Sequence, residues 1–244
     1  MQNSEFDLTL VIACYNDGMI LEEHLAEIEA TLGQTRYTYE FILIDDASPD
    51  GSARAVEEAA ARRPHACGLL HERNVGRGGT VTEGMKRARG KYVGYLDIDL
   101  EVHCRYIPSM LLALDQGYDG ATAFRVYRIQ MNPNFLFRHL LSMGYRFLVH
   151  RLLRLPYRDT ETGYKFFRRE KIAPLLEKVT SRGWFWDTEI MALSWYHQLQ
   201  VIEIPALFTR RNAKTSTVKP LRDSWNYMRE LIRFRQRIRR EGYL

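Results

Sequence analysis

Apolar residues along this chain follow two rhythms that alternate through its first hundred positions. Leu8 to Cys14 (LTLVIAC) is almost continuously apolar, the pattern of a strand covered on both faces. The turn-like YNDG follows, and from Met19 the spacing changes, placing Leu21, Leu25, Ile28 and Leu32 on one face of a helix. Phe41 to Ile44 predicts a second strand, followed by the turn ASPDGS, and Ala53 to Arg62 predicts a second helix. Cys67 to Leu70 predicts a short third strand. Asn74 to Gly79 (NVGRGG) opens a helical stretch through Ala88, and Tyr92 to Leu96 predicts a fourth strand. Further on, Trp184 to Glu189 (WFWDTE) precedes an apolar helix and Val201 to Phe208 reads as a strand. Strands alternating with helices imply the α/β class, a mostly parallel sheet with right-handed crossovers.

Sheets of this kind bind ligands beyond the carboxyl ends of their strands. Three polar clusters fall there: Asn16 with Asp17, Asp45 with Asp46, and Asp97 with Asp99. Their convergence predicts one crevice. Two carboxylates separated by one residue, where a buried strand meets solvent, suit a divalent metal holding a diphosphate, because Mg²⁺ takes one or two carboxylates together with phosphate oxygens and water. Glu101 offers a third oxygen. No G-x-G-x-x-G follows the first strand and no Walker A sequence occurs, which excludes the dinucleotide and P-loop sites.

Composition adds bounds. The chain has 244 residues, 45% hydrophobic and 27% charged, enough for a sizeable core. No run reaches the length of a membrane-spanning helix and the opening MQNSEFD lacks a signal-peptide pattern, so a cytoplasmic protein is expected. Cys14, Cys67 and Cys104 are widely separated, which argues against a disulfide framework or zinc site. The net charge of +5, with pI near 9.1, favours an anionic partner. The excess lies in the second half: Arg125 to Arg158 contains no acid, and the tail reads RELIRFRQRIRR from Arg229. Phe135 to Tyr157 interleaves bulky apolar residues with Arg138, Arg146, Arg151 and Arg154, and Trp225 to Phe234 is similar. As helices these segments suit peripheral binding to an anionic membrane surface; the alternative is ordinary packing of an amphipathic helix on the core.

The segments LTLVIACYND, ILIDDASPDGS, NVGRGGTVTEGMKRARGKYVGYLDIDLE and DTETGYKFFRRE, in this order, resemble the inverting family 2 glycosyltransferases of GT-A fold. Within them the chain is similar to the branch that moves sugars onto dolichyl or polyprenyl phosphate. The resemblance runs from Leu8 to Arg211. It implies a Rossmann-like sheet flanked by helices in a single domain, with a nucleotide-sugar-binding half (1–124), an acceptor-binding half (125–218) and a basic C-terminal helix (219–244). It places Tyr15, Asn16, Asp17, Asp45, Asp46, Asp97 and Arg211 at the donor, with Arg210, Arg211 and Lys214 in a candidate lid. Asp97, Asp99 and Glu101 would hold Mg²⁺ or Mn²⁺. Arg125, Arg128, Arg138, Ser142, Lys165 and Arg168 would face the acceptor. Asp99, Arg125 and Asp187 would act in catalysis. Asp17 stands where the family usually has Glu, Glu101 where relatives often carry Gln, and Ile98 where alanine is usual, a change expected to alter contacts to the donor's ribose.

Chemistry supports the resemblance. Displacing a nucleoside diphosphate from an anomeric carbon builds charge on the leaving oxygens, which a bound cation stabilises. A lipid phosphate, with its second ionisation near pKa 6 by analogy with phosphorylated side chains, is already a nucleophile at neutral pH. It needs cations to position it and no base, and guanidinium groups offer planar bidentate hydrogen bonds for that purpose. The closest rival is a transferase acting on a hydroxyl, which requires a base, and Asp187 or Glu189 would supply it. Both acids also suit the first turn of a helix. A nucleotidyltransferase would want a glycine-rich loop where this chain has CYNDG, and a nucleic-acid-binding module leaves the three acidic clusters unexplained. Sequence leaves the donor open between GDP-mannose and UDP-glucose types.

Overall fold

The computed structural model describes residues 4–127, 144, 146–209 and 220–244. The first half follows the predicted alternation: β1 (Leu8–Cys14), α1 (Gly18–Leu32), β2 (Tyr39–Asp45), α2 (Ser52–Ala61), β3 (Ala66–Leu70), α3 (Arg77–Arg87) and β4 (Tyr92–Leu96). A 3-10 turn at Cys104–Tyr106 then leads to α4 (Ile107–Asp115) and β5 (Gly120–Tyr127). Helical residues 146–153 (α5) follow, then β6 (Tyr164–Arg168), α6 (Arg169–Leu176), α7 (Trp186–Tyr196), β7 (Val201–Phe208) and α8 (Pro220–Arg240).

The strands form one seven-stranded sheet in the order β3-β2-β1-β4-β6-β5-β7. β1 to β4 are mutually parallel and β5 is parallel to β7, while β6 runs antiparallel to both its neighbours. Side chains alternate between two cores. Leu8, Leu10 and Ile12 of β1 join Phe41 and Leu43 of β2 under α1, α2 and α4. Val11, Ile42 and Ile44 face the opposite core beneath α3 and α5 to α8. Because both faces are covered, β1 and β2 read as unbroken apolar runs.

The reversed strand positions the site. Antiparallel pairing of Leu96 with Tyr164 brings the beginning of β6 to the carboxyl end of β4, and the Asp97 amide donates to the Gly163 carbonyl at 3.0 Å. The loop from Asp159 to Gly163 therefore crosses directly over the Asp97 turn. A Cβ at Gly163 would overlap Asp97 Oδ2 and Arg77 Nη2, so a larger residue there would push these two side-chain tips aside.

Among the described residues, the amphipathic segments turn much of their apolar surface to the core. Val149, Leu153, Leu155 and Tyr157 are buried, as are Leu231, Phe234 and Ile238 of α8. The packing alternative thus accounts for these residues, while Phe147, Trp225 and Ile232 stay exposed. Residues 135–143 of the predicted surface segment lie outside the described residues. No helix among the described residues is long and apolar enough to cross a membrane.

One buried ion pair fastens α8. Arg237 Nη2 lies 2.7 Å from Glu189 Oε1, and the Glu189 carboxylate also accepts from the amides of Thr180 (3.1 Å) and Ser181 (2.7 Å). Glu189 is 1% exposed, so it is a structural anchor and not the base that sequence allowed. Removing one partner of a buried pair leaves the other uncompensated; because Arg237 keeps some solvent, the expected cost of Glu189→Gln is about 2 kcal/mol, or ~4–8 °C in Tm for a chain of this size. A thermal melt checks this, and an unchanged Tm would mean that the Glu189–Arg237 pair adds nothing net to the hold on α8.

Candidate active site

The turn after β4 is fixed from both sides. The Leu100 amide donates to the Asp97 carbonyl (3.2 Å), the Glu101 amide donates to Asp99 Oδ1 (3.1 Å), and buried His24 of α1 donates from Nδ1 to the Ile98 carbonyl (2.5 Å). Ile98 is 2% exposed and packs in the core beneath α1. Its side chain therefore points away from the crevice, and the expected effect on ribose contacts has no structural basis. Asp97 and Asp99 flank it on the open side. Burial, with Asp97, Glu101 and Asp17 nearby, pushes the Asp99 carboxyl up to about 7.

Asp97, Asp99 and Glu101 do not converge. Among the described residues, the acid, histidine and cysteine trio whose ligand atoms lie within 4.8 Å of one another is Glu27, His103 and Cys104. That trio is a capping arrangement: His103 Nδ1 accepts the Arg105 amide at 3.0 Å while Nε2 meets Glu27 at 2.8 Å. Asp97 is drawn elsewhere, to Arg77. Nε and Nη2 of Arg77 lie 2.8 and 2.6 Å from the same oxygen, Asp97 Oδ1. Nη1 donates to Asp187 Oδ2 at 2.6 Å. The guanidinium also sits 5.5 Å from the Tyr95 ring centre and 5.3 Å from that of Trp184.

Asp187 lies at the centre of a charged network. Its second oxygen accepts from Lys165 Nζ at 2.9 Å and from the Tyr95 hydroxyl. It is 1% exposed. Both oxygens accept hydrogen bonds from buried or half-buried partners and the carboxylate is closed off from solvent, which disfavours the base role expected of Asp187 under a hydroxyl acceptor. Lys165 is corrected too. It is fully buried, it also donates to the Thr162 carbonyl, and burial lowers its pKa against the pull of Asp187. Its ammonium holds Asp187 and does not face an acceptor. Sequence reasoning missed Arg77 and Tyr95; the available signal was an arginine set among the glycines of GRGG at a helix start.

The remaining donor positions divide. Tyr15 is 42% exposed, the Asn16 amide donates to Ser48 Oγ (3.0 Å), and Asp17 Oδ2 accepts the Tyr15 amide (3.3 Å). Asp45 is 1% exposed. Its Oδ2 accepts the Ser48 amide at 3.0 Å, and its buried Oδ1 has no hydrogen-bond partner among the described residues. Asp46 is instead committed to structure. It accepts the amides of Val75 (2.8 Å) and Gly76 (2.9 Å) and contacts His71 Nδ1 at 2.8 Å, which shapes the loop that delivers Arg77. Gly76 itself has φ +89, a value that favours glycine.

In the second half, Arg125 grips Asp159 with a two-pronged fork, Nε to Oδ2 at 2.7 Å and Nη2 to Oδ1 at 2.9 Å. Glu161 Oε2 lies 3.5 Å from Arg125 Nη2, and the side chain is 20% exposed. Burial raises its carboxyl to about 7 although Arg125 opposes the shift. Arg168 does not belong to this group. It pairs with Tyr92 at the far end of β4, where it donates to the carbonyls of Tyr118 (3.0 Å) and Leu114 (2.5 Å), so the expected acceptor role is withdrawn. Arg128, Arg138, Ser142, Arg210, Arg211 and Lys214 lie outside the described residues.

Comparison with known proteins agrees with this architecture. Residues 9–176 match the family described as Glycosyl transferase family 2. An undecaprenyl-phosphate 4-deoxy-4-formamido-L-arabinose transferase of Shewanella sediminis is 30% identical over 177 residues, covering 72% of this chain and 52% of the relative. A dolichyl-phosphate beta-glucosyltransferase of Dictyostelium discoideum is 24% identical, over 94% of this chain and 74% of the relative. The chain spans 32% to 74% of the length of relatives of this kind. Among solved structures, glucosyl-3-phosphoglycerate synthase from Mycobacterium tuberculosis, in complex with Mn²⁺, UDP and glucosyl-3-phosphoglycerate, superposes with a TM-score of 0.68 at 16% identity, covering 94% of this chain and 78% of that one. This likeness establishes the GT-A fold. Strand order, the acidic turn after β4 and the match over most of the chain lead to one conclusion: the protein belongs to glycosyl transferase family 2.

Proposed function

We propose that the protein transfers a sugar from a nucleotide-diphosphate sugar to a polyprenyl or dolichyl phosphate, with inversion and with Mg²⁺ or Mn²⁺. The observation that carries this reading is the occupation of Asp187, whose oxygens are taken by Arg77, Lys165 and Tyr95. A phosphate acceptor requires no base, because a phosphate oxygen attacks the anomeric carbon as the bond to the diphosphate breaks. The lipid phosphates in the names of the two sequence relatives, undecaprenyl phosphate and dolichyl phosphate, support the same choice.

The residues suit each part. Asp45 Oδ1, buried and unpartnered among the described residues, is an acceptor fit for an N–H of the donor's base, beside Tyr15, Asn16 and Asp17. Asp99, Asp97 and Glu101 offer only hard oxygen; burial and then the neighbouring carboxylates lift Asp99, and a divalent cation would neutralise that gathered negative charge. When bound, the ion supplies charge stabilisation to the departing diphosphate. Arg125, held rigid by Asp159, would orient the acceptor phosphate with Arg128, Arg138 and Ser142. Transfer assays with labelled UDP-glucose and GDP-mannose, Mn²⁺ and polyprenyl phosphate should give a solvent-extractable, lipid-linked sugar. Asp99→Asn should lower kcat about 10²-fold or more. Product that forms only on a water-soluble hydroxyl acceptor would overturn the phosphate reading.

A second reading has one observation in its favour. Glu161, poised near neutrality and partly exposed, is a better-placed base than Asp187 for a hydroxyl acceptor. The groups facing it are Arg125 of β5, Asp159 of its own loop, Arg146 of α5 and Asp187 of α7. With its carboxyl at about 7, Glu161 is mostly neutral below that pH and ionised above. Under the phosphate reading its ionisation opposes the acceptor, so the acceptor KM should climb above about pH 7 and Glu161→Gln should flatten the climb. Under the hydroxyl reading the rate should instead rise through that pH, and Glu161→Gln should abolish it. A pH series of acceptor kinetics separates the two.

A lipid acceptor requires a visit to the membrane, and the exposed Phe147, Trp225 and Ile232, set among arginines, suit peripheral docking on anionic lipid. Each basic residue near such a surface contributes about 1 kcal/mol, fading with salt. In liposome flotation across a salt series, Phe147→Ala with Trp225→Ala should remove the salt-resistant part of binding. Absence of binding by the parent to anionic vesicles at low salt would refute surface docking.

A further inference from the structure

We propose that Arg77 is a built-in rival of the divalent cation for Asp97, so that the ion engages Asp99 first and gains Asp97 only by displacing a guanidinium. This rests on the metal-dependent reading above. The first support is that Asp97, Asp99 and Glu101 do not cluster among the described residues while two Arg77 nitrogens sit on Asp97 Oδ1.

The second support is the unequal grip of Arg77 on its two partners. Toward Asp187, 2% exposed at its side chain, it holds a 2.6 Å contact inside the core. Toward Asp97, whose side chain is 42% exposed, both nitrogens crowd onto one oxygen, and Nη2 lacks an aligned hydrogen-bond acceptor among the described residues. Arg125 and Asp159 show the contrast, with two nitrogens on two oxygens, the geometry that gives bidentate pairs their strength. The Asp187 end is therefore the fixed end of Arg77 and the Asp97 end is the exchangeable one. The absence of a side chain at Gly163 lets both tips lie against its Cα, since a Cβ there would overlap Arg77 Nη2 and Asp97 Oδ2.

The backbone keeps the rival in place. Arg77 is the first residue of α3, and the two amides before it are tied to Asp46. The Gly79 amide donates to the Arg182 carbonyl at 3.1 Å. Ring contacts with Tyr95 and Trp184 restrict the guanidinium further. An ion that must compete with such a group binds with an apparent affinity reduced by the fraction of sites in which the group holds the ligand.

Mn²⁺ titration followed by electron paramagnetic resonance, without nucleotide, tests this on the parent, Arg77→Gln, Asp97→Asn and the double variant, with Asp99→Asn as reference. Arg77→Gln should tighten Mn²⁺ about fivefold, and Asp97→Asn should weaken it only about threefold in the parent but more than about tenfold in the Arg77→Gln background. Thermal melts accompany each titration. If Arg77→Gln is too unstable to titrate, Arg77→Lys, with a shorter cation, should show the same non-additivity at smaller size. Additive effects of the two substitutions, or looser Mn²⁺ binding in Arg77→Gln, would overturn the rivalry while leaving metal dependence standing. Absence of Mn²⁺ binding in every variant would overturn the metal-dependent reading and this inference with it.

Discussion

The site depends on a chain of alternating charge, Asp97, Arg77, Asp187 and Lys165, laid across the carboxyl end of β4 and the amino end of β6. Its inner members are almost wholly removed from water: Lys165 has no side-chain exposure and Asp187 has 2%. Burying an isolated ion costs several kcal/mol even after relaxation. Here each inner charge has an opposite neighbour, and the remaining capacity is filled by the Tyr95 hydroxyl and the Thr162 carbonyl. The chain also links four segments remote in sequence: the turn after β4, the start of α3, the first turn of α7 and the beginning of β6. Geometry at the acidic turn after β4 is thereby coupled to geometry at the start of β6 and at α7.

That coupling explains why β6 runs backwards. A parallel strand in its place would bring its amino end to the opposite edge of the sheet, leaving Lys165 and Gly163 far from Asp97. With β6 reversed, residues 159–163 arrive at the crevice before the strand begins, and Arg125 on neighbouring β5 meets Asp159 there. Arg168, three residues past Lys165, is carried to the other end of the sheet by the same reversal. Arg125 of β5 and Arg168 of β6 therefore receive opposite tasks, one beside the site and one tying the end of α4 to the far end of the sheet.

The second core beneath α3 and α5 to α8 supports the chain from below. Tyr95 and Trp186 meet edge to face with ring centres 5.1 Å apart, and the indole of Trp186 donates to Thr82 at 2.7 Å. The α7 helix that carries Asp187 is thus fixed against α3, which carries Arg77, and Glu189 one turn-face away binds it to α8. Acidic residues in the first turn of α7 also suit the positive end of a helix. The WDTE segment serves stability and site together, which is why a reading by residue type alone assigns both its acids to catalysis.

Sequence by itself determined the alternation of β1 through β4 with their helices, because a strand buried on both faces has to be continuously apolar and a packing helix has to repeat with its own period. It also determined that acids gather at the strand ends, since the turn positions of Asp17, Asp45 and Asp97 follow directly from where the apolar runs stop. Local pattern does not extend to β5 and β6. Gly120 to Tyr127 begins with small residues, and Tyr164 to Arg168 carries a buried lysine in mid-strand, so neither has the signature of a core strand. Only the tertiary structure decided which charges meet. Arg77 and Asp187 are separated by 110 positions, and no periodicity in either segment encodes that contact; it arises from packing α3 beside α7 on one face of the sheet. The same packing turned Asp46 and Lys165 from ligand contacts into supports, since a charged group in a dry interior goes to the nearest opposite charge or amide that the fold supplies.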